Sequence, residues 1–276
     1  MSKIAFLVTF VSAFVGSTTA MAETKLNLVK DGELQILTSP TYPPMEFVNT
    51  ENGELNGVDI DLGNAIGKKL NLNVTWIKST FQQLQSSLQT GRADMIISGM
   101  SDNPKRQESM DFIDYITSGP ILFTTTANAS KYKVTTDLCG KTVAGSRVTT
   151  FPDNVKAWSA ANCAAKGKAD INVESVADSN AARMGMKQGR YDAAVQGVET
   201  IAYQMRLEPN TFVMVGAPIL SNDVFGIGFK KTNPQLRDAV AKALDQLIKD
   251  GTYSKILNKW GLIHNAVAKV EINGAK

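Results

Sequence analysis

One phrase occurs twice in this chain of 276 residues, and it narrows the choice of folds more than any other feature. Gly91-Arg92-Ala93-Asp94-Met95-Ile96-Ile97-Ser98-Gly99 returns 98 residues later as Gly189-Arg190-Tyr191-Asp192-Ala193-Ala194-Val195-Gln196-Gly197. Each copy follows a helical stretch and runs into a short apolar strand closed by a polar residue and glycine. Two related α/β units account for that pattern. Upstream, Leu34 to Leu37 reads as a strand, broken at Pro40 and again at Pro43-Pro44. Val58, Leu62, Ile66 and Leu70 recur every four residues, the mark of an amphipathic helix. Val74 to Ile77 is the next strand; Phe81, Leu84 and Leu88 begin a helix that stops at Gly91, ahead of a strand at Met95 to Ile97. Alternating strands and helices predict mostly parallel sheets with helices on both faces. Ligands of such sheets lie beyond the carboxyl ends of the strands. Ser98-Gly99 and Gln196-Gly197 are therefore expected to face one another across a cleft.

The C-terminal part reads as helical. Leu236, Val240, Ala243, Leu244, Leu247 and Ile248 trace one face of a helix ending at Gly251, and Tyr253, Ile256, Leu257 and Trp260 trace another closed by Gly261. Residues past Ile263 are expected to fray.

Charge excludes several functions. Lys and Arg number 29 against 26 Asp and Glu, so the formal net charge of +3 is too small and too evenly spread for a nucleic-acid surface. A single histidine leaves little room for a His-rich metal site or a serine–histidine triad, and no metal or cofactor is expected. Hydrophobic residues at 43% and charged residues at 20% fit a globular chain, and the length fits two domains of about 100–200 residues.

Residues 1–22 read as a secretory signal: Lys3, an apolar run from Ile4 to Val15, then Ala20-Met21-Ala22 as the cleavage pattern after Ala22. The run is too short for a bilayer, which needs roughly 20 apolar residues. Export to the periplasm puts Cys139 and Cys163 in an oxidising compartment, where the pair is expected to form a structural disulfide.

The sharpest local signal is Ser98-Gly99-Met100-Ser101-Asp102-Asn103-Pro104-Lys105-Arg106. A strand ends at Gly99, Asn103 is placed to cap a helix and Pro104 to open it. That arrangement favours an anion, with the Ser101 hydroxyl near and Arg106 able to grip a carboxylate with two parallel bonds. The plain alternative is a capped surface helix whose Arg106 pairs with Glu108 or Asp111. Tyr42, just past the first strand, and Phe81, at a helix start, offer two rings for the apolar body of a small ligand, although each ring also fits ordinary core packing.

With those residues in hand, the chain resembles the bacterial extracellular solute-binding proteins of family 3, which feed polar amino acids to ABC importers. The resemblance rests on Thr41-Tyr42-Pro43-Pro44-Met45-Glu46-Phe47, Gly57-Val58-Asp59-Ile60-Asp61-Leu62, Leu88-Gln89-Thr90-Gly91-Arg92-Ala93-Asp94, Ser98 to Arg106, and Gly251-Thr252-Tyr253 ahead of Lys259-Trp260. It implies a class II periplasmic-binding fold, α/β, with two lobes joined by a two-stranded hinge: lobe 1 from residues 26–121 plus 225–276 and lobe 2 from residues 122–224. By the same resemblance Tyr42 and Phe81 are aromatic walls, and Ser98, Gly99 and Ser101 are lobe 1 polar contacts. Arg106 clamps the ligand carboxylate, and Thr149 and Thr150 meet it from lobe 2. The implied partners are a small-molecule ligand and an ABC permease.

Three departures bear on the ligand. The family usually carries an acid for the ligand's ammonium where this chain has Gly197, or Gln196 if shifted by one. Val148, preceded by Arg147, stands where a glycine is usual, and Ser39 stands where binders of cationic side chains often carry Asp. A buried ammonium without a carboxylate is costly, so these departures predict an anionic or neutral ligand, with Arg147 a second anion contact. Two rival readings follow. A cyclohexadienyl dehydratase-like enzyme needs a general acid in the cleft, and Glu199 is its candidate. A sensing module of a signalling receptor calls for a following membrane helix, and none is read.

Overall fold

The computed structural model describes residues 25–220 and 223–275. The expected export signal, residues 1–22, lies outside the described residues. Strand β1 (Glu33–Thr38) leads into a small antiparallel sheet of β2 (Thr41–Tyr42), β3 (Glu46–Val48) and β4 (Leu55–Asn56). Helix α1 (Val58–Lys69), β5 (Asn73–Lys78), α2 (Phe81–Gln89), β6 (Met95–Ile96) and the short α3 (Pro104–Gln107) follow. Two long strands, β7 (Met110–Ser118) and β8 (Pro120–Thr125), come next. After them run β9 (Thr142–Ser146), α4 (Phe151–Asn162), β10 (Asn172–Val176), α5 (Ser179–Lys187), β11 (Ala193–Gly197), α6 (Val198–Leu207) and β12 (Phe212–Val215). Strand β13 (Asp223–Lys230) and helices α7 (Pro234–Lys249) and α8 (Thr252–Trp260) complete the order.

The strands form two five-stranded sheets with the same plan. The first has the order β5-β1-β6-β13-β7 and the second β10-β9-β11-β8-β12. In each, three parallel strands are joined by two antiparallel ones. The chain passes between the sheets at Gly119, where β7 gives way to β8, and returns between β12 and β13.

The apolar spacing explains the layers. Leu62 and Ile66 of α1 and Val240, Leu244 and Leu247 of α7 bury against Leu34, Ile36 and Ile227 on one face of the first sheet. Leu84 and Leu88 of α2 cover Leu37, Ile96 and Phe112 on the other. In the second sheet Phe151 and Val155 of α4 pack on Val143 and Val195, while Ala182 and Met186 of α5 meet Ala144 and Phe123 across it. Each such fully buried aliphatic or aromatic side chain contributes about 1.5–3 kcal/mol.

The repeated phrase has a repeated task. Asp94 accepts from Gln35 N–H at 2.8 Å and Val29 N–H at 2.7 Å, and its own N–H donates to Gln35 O. Asp192 accepts from Thr142 N–H at 2.9 Å and the Tyr132 hydroxyl at 2.6 Å, and its N–H donates to Thr142 O. Gly91 and Gly189 turn the chain into both strands with φ of 79° and 74°.

Cys139 and Cys163 form the expected disulfide, tying the approach to β9 to the end of α4. The C-terminal expectation needs correction. The described residues past Ile263, through residue 275, do not fray: they run to β7, where Asp114 N–H donates to Glu271 O at 3.0 Å and Asn273 N–H to Phe112 O at 3.1 Å. Asn273 Oδ1 takes Phe112 N–H, and Ala275 N–H reaches Asp102 Oδ2 at 3.2 Å. The free edge of β7 offers unpaired backbone groups, and the tail satisfies them.

Candidate functional site

A cavity of about 310 Å³ opens between the two sheets. Its walls come from the carboxyl ends of parallel strands, where the fold class places ligands. Ser39 follows β1, Ser79 follows β5, Ser98 and Gly99 follow β6, Ser146 ends β9 and Asp178 follows β10; all line the cavity.

Among the described residues Arg106 is the only cationic side chain on the walls. The local sequence sets it there. The Asn103 side chain takes Arg106 N–H at 2.9 Å, capping α3, and Pro104 opens the turn, as the spacing predicts. Arg106 Nη1 donates to Ser101 O at 2.7 Å, and its guanidinium stands 5.7 Å from the Phe81 ring centroid. Burial lowers the guanidinium's pKa, and the charges of Asp223 and Asp102 oppose that shift. The Ser101 hydroxyl donates to Asp223 Oδ2 at 3.3 Å. Burial raises the Asp223 carboxyl to about 6, against that hydrogen bond and the charge of Arg106.

Ser98 and Gly99 are wired into the protein beneath the cavity floor. The Ser98 hydroxyl donates to Glu46 Oε1 at 2.8 Å and accepts from Ser39 N–H at 2.9 Å. Gly99 N–H donates to Asp59 Oδ2 at 2.9 Å, and the Tyr115 hydroxyl to Asp59 Oδ1 at 2.7 Å. Glu46 and Asp59 are buried against each other. Burial and then the neighbouring charge push Glu46 well up, and burial lifts Asp59 to about 6. Two carboxyls so placed hold a proton in common. Gly99 has φ of 49°, and a Cβ there would stand 3.2 Å from the Tyr42 ring, so glycine lets Tyr42 lie over the loop.

Of the residues expected from sequence, Tyr42, Phe81, Ser98, Gly99, Ser101, Arg106 and Thr149 line this one cavity. Thr150 and Gln196 do not. The buried Thr150 hydroxyl stands at the start of α4, and Gln196 Oε1 turns into the second lobe to accept from Arg183 Nη1 at 2.8 Å. Arg147 is exposed and donates from Nε to Val176 O at 3.3 Å, away from the cavity. Tyr42 bridges the two sheets, its hydroxyl accepting Gly197 N–H at 3.1 Å.

Glu199 is 3% exposed and does not line the cavity. Its carboxyl folds back over Gly197: a Cβ on Gly197 would fall 1.8 Å from Glu199 Oε1. Oε2 accepts the Ser118 hydroxyl at 2.9 Å, and Oε1 is buried with no close partner among the described residues. Burial raises the group to about 7.

Sequence reasoning missed Glu46, Ser146, Asp178 and Ser179 on the walls. Applying the strand-end rule to every parallel strand, rather than to the repeated pair alone, finds Ser146 and Asp178. Glu46 sits on the hairpin strand β3, which no period-based reading aims at the cleft.

Known proteins resemble this chain in sequence and fold. The arginine-binding protein ArgT of Corynebacterium glutamicum is 30% identical over 250 residues, covering 89% of this chain and 80% of its own. The histidine-binding periplasmic protein of Escherichia coli K12 is 29% identical over 269 residues, covering 94% of this chain and 97% of its own. The solved structure of an ancestral arginine-binding protein bound to arginine matches with a TM-score of 0.73 and 34% identity, covering 83% of this chain and 98% of that one. It shares the class II periplasmic-binding fold. The model of one family spans residues 34–263, from β1 through both sheets to the end of α8 and just beyond. This chain belongs to family 3 of the bacterial extracellular solute-binding proteins.

Proposed function

We propose that the chain is a periplasmic receptor, released by cleavage after Ala22, that captures a small carboxylate-bearing solute and passes it to an ABC importer. The solute is an amino acid or a related compound. The observation that carries this reading is Arg106, among the described residues the sole cation on the wall of an inter-sheet cavity, backed by Phe81 and faced by Thr149 from the other side. A guanidinium in a half-enclosed site binds a carboxylate through charge-assisted bonds. The names of the relatives support an amino acid.

The moving parts are lobe 1, residues 26–121 plus 225–276, and lobe 2, residues 122–224. Closure bends the two crossings at Gly119 and between β12 and β13 and buries the solute. The closed surface is then what a permease distinguishes from the open one. Tyr42 already reaches Gly197 across the cleft, so it reports on closure.

A dehydratase needs a general acid against its substrate. Glu199 holds a raised pKa but stands behind Gly197 and Ser118, off the cavity, which weighs against that use. The test is a thermal-shift panel on the mature protein and on Arg106→Ala. It covers the twenty amino acids, dicarboxylates, keto acids and prephenate. A ligand at one hundred times its dissociation constant stabilises by about 2.7 kcal/mol. Amino acids are expected to shift the wild type and not the variant. Equal shifts in both, or none with any carboxylate, would overturn the reading. Prephenate turnover abolished by Glu199→Gln would install the enzyme instead.

A further inference from the structure

A solute that carries a positive group beside its carboxylate needs an acid within the cavity, since an unpaired buried cation is costly. Among the described residues the walls carry one basic side chain, Arg106, and two carboxyls, Glu46 and Asp178. Arg106 is committed to the carboxylate. Glu46 is 1% exposed, takes the Ser98 hydroxyl and faces the buried Asp59 carboxyl, so its negative charge is already shared and suppressed. Glu199, the acid nearest to Gly197 in sequence, is sealed behind the cavity wall and held by Ser118.

Asp178 differs from both. It is exposed, it follows β10 on the second sheet, and it faces the cavity from the side opposite Arg106's loop. Its Oδ1 accepts Ala181 N–H at 2.8 Å, the cap of α5. That bond fixes the carboxylate at the strand end, and Oδ2 takes no hydrogen bond from the described residues. A capped aspartate is pre-oriented, so little side-chain freedom is lost when it meets a ligand.

We propose that Asp178 holds the positive group of the bound solute while Arg106 holds its carboxylate, so that Asp178 selects zwitterionic or cationic solutes over plain carboxylates. This rests on the reading of the chain as a solute receptor. It replaces the expectation, drawn from Gly197 and Ser39, that the ligand is anionic or neutral. The acid comes from the end of β10 rather than from the end of β11.

The test separates charge from structure, because asparagine caps a helix as well as aspartate does. Asp178→Asn, Glu199→Gln and the unaltered mature protein are titrated calorimetrically with the strongest-binding amino acid of the panel above, and with the 2-keto acid of the same side chain. Asp178→Asn is expected to lose affinity for the amino acid by about 10- to 100-fold, the range of a charge-assisted hydrogen bond, with its melting temperature unchanged. Its affinity for the keto acid and the affinities of Glu199→Gln stay within about threefold of wild type, well below that range. An Asp178→Asn variant that binds the amino acid as wild type does overturns the proposal. So does a loss shared equally by amino and keto acid, or a loss that appears in Glu199→Gln instead. If the unaltered protein binds keto acids or dicarboxylates and no amino acid, this inference falls while the carboxylate receptor stands. If it binds no carboxylate, the parent reading falls with it.

Discussion

Asp94 and Asp192 stand 98 positions apart and do the same work, each closing its parallel sheet by accepting N–H groups from the neighbouring strand's start. A few residues on, the two copies part. Strand β6 runs on into Ser98-Gly99, whose hydroxyl and N–H are spent on Glu46 and Asp59, so buried carboxyls stand beneath the first lobe's side of the cavity. Strand β11 ends in Gln196-Gly197, with Gln196 turned to Arg183 and Gly197 roofed by Glu199. The contrast shows what duplication preserves. Bonds that hold strands together are kept, because their loss leaves buried N–H groups unpaired. Strand tips carry no such obligation, and there the chemistry diverged.

The lobes also differ in how they are stapled, and this gives the largest expected effect. Cys139 and Cys163, 24 positions apart, tie the second lobe alone. Replacing both with serine should cost about 3–4 kcal/mol by loop entropy. Hydrogen exchange should then rise in β9 and α4 before it rises in β1 and α1. Uniform loosening would mean that the lobes unfold as one unit. Next comes Arg106→Ala, which should weaken carboxylate binding about 100-fold, near 2.7 kcal/mol at 25 °C. Calorimetry should find the melting temperature little changed.

The duplicated aspartates give the direct comparison. Asp94→Ala and Asp192→Ala each orphan two donors and should each destabilise by about 2–3 kcal/mol in denaturant melts. A difference beyond the error of the fits would show that the copies no longer carry equal weight. Gly197→Ala should cost about 1–3 kcal/mol by overpacking against the Glu199 carboxyl. Gly99→Ala should cost about 1 kcal/mol, chiefly for its left-handed φ of 49°. The last comparison is one of pH dependence. Glu199 is raised in the folded protein from 4.5 to about 7, so its contribution to stability is complete below pH 4.5 and is lost as pH rises through 7. Glu199→Gln should flatten that part of the stability profile, and an unchanged slope would move the effect to Asp59 or Asp223.

Much of the scaffold was legible. Four-residue spacing at Val58, Leu62 and Ile66 became α1 because those positions share the buried face. Asn103 and Pro104 opened α3 as caps do. Ser98, Gly99, Ser101, Arg106 and the two rings come together on one cavity, where motif, turn and aromatic signals coincide in the sequence. Of the expected pair, Thr149 lines the cavity and Thr150 stands at the cap of α4. Asp178 escaped because an aspartate before a helix reads as a cap, and it is one. Nothing in periodicity reveals that the same carboxylate also borders a cavity. The tail after Ile263 escaped because it pairs with β7 through backbone groups and Asn273, leaving no hydrophobic rhythm to read.

The roof that Glu199 makes over Gly197 has a meaning for descent. The two positions are not free to change in either order. An acid arriving at 197 while Glu199 remains would meet a carboxyl 1.8 Å from its Cβ, adding like charge to overlap. A side chain at 197 is accommodated cheaply only once residue 199 has swung aside or shrunk.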